Sequence, residues 1–231
     1  MTYVKKPSHK KLYISIVLIA ILIAASGAAV YLASIPKPIV IGVKPGDTFT
    51  YNIQGITVLG VNVTLPEQQG DFARYNDTQY YKVTVLDVQN TTVKLATEWK
   101  FKNGTEVTDK QTINLANGDK TNTNGFWAIY PANLTVNDLL RPEGFDGVKV
   151  NATDTKNYHS GDRTTDFFWI DNEFFDVNDP TRSTYRYDYI GVNFDQTTGM
   201  MVNMQNWQEY NNPQYRLVVL YTLTNTTAWA F

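Results

Sequence analysis

Residues 92–115 read TVKLATEWKFKNGTEVTDKQTINL, and this stretch decides the fold class. Val93, Leu95, Thr97, Trp99 and Phe101 occupy alternate positions, against Lys94, Ala96, Glu98, Lys100 and Lys102. A strand turns successive side chains to opposite faces, so the pattern predicts a half-buried β-strand over Thr92–Lys102. Asn103-Gly104 follows at once. A two-residue hairpin needs positive φ at both central residues, which this pair tolerates well. Glu106–Leu115 is then the return strand, closed by Asn117-Gly118-Asp119.

The same reasoning extends in both directions. Tyr80–Val88 reads as a strand turned through Gln89-Asn90-Thr91 into Thr92–Lys102, and Thr48–Gln54 as a strand entered from the turn Pro45-Gly46-Asp47. Downstream, Thr184–Phe194 sets Tyr185, Tyr187 and Tyr189 against Arg186, Asp188 and Ile190. Asp195–Gly199 is a turn and Met200–Trp207 returns from it. Tyr215–Thr224 closes the chain with Tyr215, Leu217, Val219, Tyr221 and Leu223 on one face. Adjacent strands joined by short turns predict an antiparallel meander that buries one face. The expected fold is mainly β: a curved antiparallel meander sheet or open barrel of nine to eleven strands. One short helix is expected outside the N-terminal region, over Thr135–Leu140 and stopped before Pro142.

The N-terminal region obeys a different pattern. Leu12 to Ile35 is 24 residues without a charged side chain. As a helix it would extend about 36 Å at ~1.5 Å per residue, and the hydrocarbon core of a bilayer is about 30 Å thick. A signal-peptide core is shorter, about 7–15 apolar residues. The stretch therefore reads as a retained transmembrane helix; cleavage after Gly27 or Ala33 would instead release the rest of the chain. Lys5, Lys6, Lys10 and Lys11 precede the span and Lys37 alone lies close behind it. The positive-inside rule puts the N-terminus in the cytoplasm and the C-terminal part outside the cell. The domain plan is thus a basic tail over 1–11, a membrane helix over 12–35 and an extracytoplasmic β domain over 36–231, entered through a linker stiffened by Pro36 and Pro38.

Composition narrows the function. With four lysines in the tail, the remaining 16 basic residues face all 22 acidic ones in 36–231. That mildly acidic balance argues against nucleic acid as a partner. The chain has no cysteine, which removes disulfides, thiol nucleophiles and lipid attachment at a cysteine. His159 is the single histidine beyond the tail. It neighbours Ser160, but adjacent residues of an extended chain point to opposite faces and cannot readily serve as nucleophile and base. No Gly-x-Ser-x-Gly elbow, phosphate-binding glycine loop or dinucleotide fingerprint occurs. No catalytic residue, metal ligand set or cofactor is assigned, and a non-enzymatic role is expected.

Seven Asn-x-Thr sequons lie beyond the span, at Asn62, Asn76, Asn90, Asn103, Asn133, Asn151 and Asn225. They predict N-glycosylation of a translocated chain. The competing reading is that Asn and Thr are frequent in turns and strands for backbone reasons. The stretch TTDFFWIDNEFFDVNDPT, residues 164–181, is unusually aromatic and acidic. Read as structure, its aromatics enter a core and a loop follows. Read as function, Phe167, Phe168 and Trp169, with Tyr185, Tyr187, Tyr189 and Trp207, form an aromatic platform for a sugar or an apolar ligand. Asp171, Asn172, Glu173, Asp176, Asn178 and Asp179 carry oxygen ligands, but their spacing departs from the calcium-loop pattern.

GVKPGDTFTYNI, FWAIYPANLTVNDLL, FDQTTGMMVNM and LVVLYTLTNTTAWAF, spread over most of residues 40–231, resemble N-terminally membrane-anchored surface proteins of archaea. Where that pattern has a glycine before the aspartate, this chain has Val136-Asn137-Asp138, and Asn tolerates the same left-handed backbone. The resemblance implies an extracytoplasmic β domain at the cell surface and supplies no catalytic residue. At the level of fold, the chain is also similar to lipoprotein-carrier half-barrels of the LolA-like kind. Two functions are therefore expected: a surface-displayed binding or envelope-structural module whose partners are the membrane and other envelope components, or a carrier or sensor of an apolar or glycan ligand held in a curved sheet.

Overall fold

The computed structural model describes residues 14–19, 21–23, 25–26, 37–64, 72, 74–121 and 127–231. The chain divides into two compact units, Met1–Pro38 and Ile39–Phe231. In the first, residues 14–19, 21–23, 25 and 26 are helical. No helix among the described residues is long and apolar enough to cross a membrane. Most of the span expected over 12–35, including both its ends, lies outside the described residues.

The second unit is built on one antiparallel sheet of nine strands: β1 (Thr48–Leu59), β2 (Thr78–Gln89), β3 (Thr92–Phe101), β4 (Glu106–Asn114), β5 (Ala152–Tyr158), β6 (Gly161–Phe175), β7 (Tyr185–Asp195), β8 (Met201–Tyr210) and β9 (Tyr215–Thr226). Their spatial order is β4-β3-β2-β1-β9-β8-β7-β6-β5. Two meanders thus meet where the last strand pairs with the first, from Phe49↔Thr226 to Leu59↔Tyr215. β4 and β5 lie at opposite edges, so the sheet is open.

One face, called inner here, carries the core. Phe49, Tyr51 and Ile53 of β1, Val83 and Val85 of β2, and Val93 and Leu95 of β3 are buried in one cluster with Phe168 of β6, Val192 and Phe194 of β7, and Val219 and Leu223 of β9. Each such side chain removed from water contributes about 1.5–3 kcal/mol. Tyr51 is wholly buried and donates its hydroxyl to the Met201 carbonyl at 2.8 Å. The alternation seen in Tyr215–Leu223 is the inner face of β9.

Because β4 and β5 are on opposite edges, residues 115–151 must travel from one to the other. Residues 115–121 and 127–151 do so over the inner face, burying Leu115, Ile129, Tyr130, Leu134, Leu140 and Val150 in the same cluster. Backbone bonds hold the crossing down, with Tyr130 N–H donating to Gly199 O at 2.9 Å and Asn133 N–H to Gln196 O at 2.7 Å. Gly199 permits this approach: a Cβ there would stand 2.0 Å from the Tyr130 carbonyl oxygen, and its φ of 74° is left-handed.

A buried ion pair fixes the same region. Asp195 is fully buried, and Arg163 meets it through two bonds of 2.7 and 2.9 Å. Thr198 donates to the same carboxylate from its N–H at 2.8 Å and its hydroxyl at 2.7 Å. The guanidinium lies 4.3 Å from the centre of the Trp229 ring.

Two expectations need correction. The segment Thr135–Leu140 is not helical; outside the N-terminal region the helical residues among those described are Phe72, Arg74 and Tyr75, in a 3-10 turn before β2. Asn137 has a φ of 74°, outside the helical region, and the Asp138 carboxylate accepts the Thr135 N–H at 2.7 Å and its hydroxyl at 2.8 Å. Such local bonds compete with the helical ladder and close a turn. The strand β5 was not anticipated, because ATDTKNY has no apolar alternation to betray it.

Candidate functional site

Six of the seven aromatic residues singled out in the sequence lie on the face opposite the core. Register partners of an antiparallel sheet share a face. One row crosses the sheet as Asp171↔Tyr189↔Trp207↔Val218↔Ile56, and the next as Glu173↔Tyr187↔Glu209↔Arg216↔Val58. Phe167, Trp169 and Tyr185 are on the same side of β6 and β7 by the alternation of those strands. Phe168 points the other way: it is 2% exposed and packs edge-on against Tyr130 at 5.1 Å.

Trp207 centres this outer face. Tyr189 stands perpendicular to it at 5.2 Å and Tyr187 at 6.3 Å. Arg216 covers the indole at 4.2 Å and is held in turn by Glu209, Nε to Oε2 at 3.0 Å. The indole Nε1–H is buried without a hydrogen-bond partner. Gly191 makes room for Tyr189, because a Cβ there would come within 2.8 Å of the phenol oxygen. Tyr187 donates to Asp171 at 3.2 Å. Burial first, and then that bond, push the Tyr187 hydroxyl above its ordinary pKa; burial and the charge of Asp171 do the same for Tyr189. Both phenols therefore remain donors at neutral pH.

Around this packed centre the face is open. Trp169 is 44% exposed and leans on Phe167 at 5.8 Å. Ile56 and Val58 are 42% and 53% exposed. Beyond them the β6–β7 hairpin adds Phe175, partly exposed beside Tyr185 at 6.2 Å, while Phe174, with Arg186 over it at 4.5 Å, lies on the opposite side of the hairpin. Exposed rings beside Asp171, Glu173 and Gln205 offer stacking surface and hydrogen-bond acceptors together. Arg216, Val218, Ile56 and Val58 complete the face and were not singled out in the sequence. The available signal was that Arg216, Val218 and Leu220 alternate with the core residues of β9, so that both faces of this strand carry apolar groups.

The other proposed chemistries are not assembled. The Asp179 carboxylate is occupied by its own loop: it accepts from the hydroxyls of Thr181 and Ser183 and from the N–H of Thr184 at 2.8 Å. The Thr181 and Ser183 bonds hold it well below the ordinary carboxylate range. Asp171 and Glu173 face one side of β6 and Asn172 the other. Among the described residues no group of three or more His, Asp or Glu is placed to hold a metal ion. His159 and Ser160 are exposed between Tyr158 and Gly161, the last pair of the β5–β6 hairpin. An open groove of about 460 Å³ crosses β2, β3 and β4, lined by polar groups including Thr84, Glu98, Thr108 and Lys110. A pocket under the crossing segment, between Trp127 and Leu140, is only about 10 Å³.

All seven sequon asparagines are exposed. Asn62, Asn90 and Asn133 have φ between 52° and 60°, the left-handed conformation that Asn accommodates in turns. No protein-family model matches the chain, and no curated protein matches it in sequence.

Proposed function

We propose that this chain is a single-pass protein of the cell membrane, held by residues 12–35 with its N-terminus in the cytoplasm, whose N-glycosylated outer β domain is a binding module of the cell envelope. The binding surface is the aromatic outer face around Trp207 and Trp169. The observation that carries the reading is the placement of the sequons. Their asparagines are all exposed, yet residues 154–224 hold eight asparagines and not one sequon. That span contains β6, β7, β8 and most of β9, the strands that form the aromatic face. Glycans at the β2–β3 and β3–β4 turns, on Asn90 and Asn103, would stand away from this face, and Asn151, whose Oδ1 accepts the Trp169 N–H at 3.2 Å, would place one at its border. The resemblance to anchored surface proteins of archaea points the same way. The carrier alternative draws less support, because residues 127–151 pack into the inner face that would have to hold its ligand.

The test is an intact mass spectrum of the protein extracted from its own membranes. The expected result is the full-length mass with sugar increments, and a co-extracted envelope component that a Trp169→Ala variant loses. A mass short by the first 27 or 33 residues would overturn the anchor. A bare full-length mass would overturn the glycoprotein reading.

A further inference from the structure

β1 pairs with β9 along its whole length, but β2 leaves it after Tyr51. From Asn52 onward, among the described residues, no strand neighbours the side of β1 toward β2. At Gly55 a side chain takes the strand's place. The Asn76 carboxamide accepts the Gly55 N–H at 2.9 Å through Oδ1 and donates to the Gly55 carbonyl at 2.8 Å through Nδ2. This two-point pairing imitates one residue of a β ladder. Gly55 suits it, since a Cβ would stand 3.0 Å from the Phe72 ring and would have to push that ring aside.

Asn76 is also the acceptor position of the sequon Asn76-Asp77-Thr78, and this sequon differs from the other six. Thr78 is 4% exposed. Its hydroxyl accepts the Trp99 Nε1–H at 2.8 Å and donates to the Arg74 carbonyl at 3.3 Å. The threonines of the other sequons are exposed or, for Thr92, half-buried. Asn103 and Asn151 accept through Oδ1, from Thr105 N–H at 2.9 Å and Trp169 N–H at 3.2 Å, without committing Nδ2.

Amide stereochemistry turns this difference into an exclusion. A glycan on Nδ2 makes the carboxamide a secondary amide, which is planar and strongly prefers trans. The sugar carbon then lies on the same side as Oδ1, and the one remaining N–H points away. The pairing with Gly55 needs an N–H on the same side as Oδ1, the position the sugar would occupy. Restoring it would require the disfavoured cis amide.

We infer that Asn76 is a strand-edge clamp rather than a glycan acceptor, so that the folded domain carries glycans on at most six of its seven sequons. The inference rests on the glycoprotein reading for the other six positions. A chain modified at Asn76 would have the β1 edge open at Gly55.

Site-by-site peptide mass spectrometry of the full-length protein from its own membranes tests it. The expected result is sugar on other sequons and an unmodified Asn76 peptide. Sugar on Asn76 at an occupancy like that of its neighbours overturns the clamp while leaving the glycoprotein reading intact. Seven bare sequons overturn that reading, and with it the partition of sites. Amide hydrogen exchange then judges the clamp by itself. In the unaltered protein the Gly55 N–H should exchange at least ~10-fold more slowly than that of Thr57, which points the same way along β1 without a clamp. Asn76→Ala, which removes both the acceptor and the donor of the pairing, should abolish that difference, whereas Asn103→Ala should not. Equal exchange at Gly55 and Thr57 in the unaltered protein overturns the clamp without reference to any variant.

Discussion

The two wings of the sheet share one inner layer and present opposite outer faces. On β2, β3 and β4 the outer face is an ionic ladder: Lys94 meets Asp87 at 3.1 Å, Lys100 meets Glu106 at 3.1 Å, and Tyr80 is bonded to Glu98. On β6 to β9 it is aromatic, with Trp207, Tyr187, Tyr189 and Arg216 stacked together. The ladder is the face of a strand that only needs to stay in water, where exposed ion pairs contribute about 0–1 kcal/mol each. The aromatic face buries area on the side where the sheet has no second layer. The exposed rings assembled there form the surface proposed above for binding.

That contrast assumes a single cooperative sheet, and the largest expected effect tests the assumption. Arg163→Ala leaves the Asp195 charge buried without its partner, which costs about 3–5 kcal/mol. Hydrogen exchange should show β2 and β7 losing protection together. If β7 opened while β2 stayed protected, the wings would be separate units and the comparison would fail. Next in size is Trp207→Ala. It removes the centre of the aromatic face and should cost about 2–3 kcal/mol in denaturant unfolding, below the cost of a fully buried tryptophan. A loss near zero would mean that the rings are not packed as a unit.

Asp166 gives a smaller, pH-dependent effect beneath the aromatic wing. Its carboxyl is inaccessible to water, with Oδ2 unpartnered and Gln196 donating to Oδ1 at 3.2 Å. Burial raises its pKa to about 6, assisted by the charges of Asp138 and Asp195 and opposed by the Gln196 bond. The folded state thus holds a proton that the unfolded chain, with an ordinary value near 4, releases. Stability from this group is present at low pH and is lost as pH rises from about 4 to 6. Asp166→Asn should remove that dependence and raise stability at pH 7 by about 1–2 kcal/mol, measured as unfolding midpoints across pH. Smallest of all, Lys100→Ala on the ionic wing should cost less than about 1 kcal/mol and less still in high salt. A larger cost would mean that the ladder holds the wing together and the two faces are less different than their chemistry suggests.

Much of the fold was legible because a strand that buries one face writes a period of two into the chain. Val93 to Phe101 and Tyr215 to Leu223 show it, and the turns at Asn103-Gly104 and Asp195–Gly199 announce themselves through residues that accept positive φ or bond their own backbone. Alternation also keeps Tyr185, Tyr187 and Tyr189 together; grouping Phe168 with Phe167 and Trp169 disregarded it, and Phe168 lies in the core. β5 was not legible, because an edge strand exposed on both faces has no reason to alternate. The turn at Thr135–Leu140 was not legible either, because spacing alone cannot show that Asp138 will bond Thr135 rather than continue a helix.

By itself, then, the sequence determined local matters: which segments are extended, where they turn, that Leu12–Ile35 is uncharged over a membrane's thickness, and where the sequons stand. Only the tertiary structure decided that β9 pairs with β1, that residues 127–151 pack into the inner face, and that Asn76 lies against Gly55, 21 residues away. Periodicity reports what one strand does with its two faces. It carries no information about which strand lies alongside, and that choice, made by many weak contacts at once, puts Arg216 on Trp207 and sets one sequon apart from six.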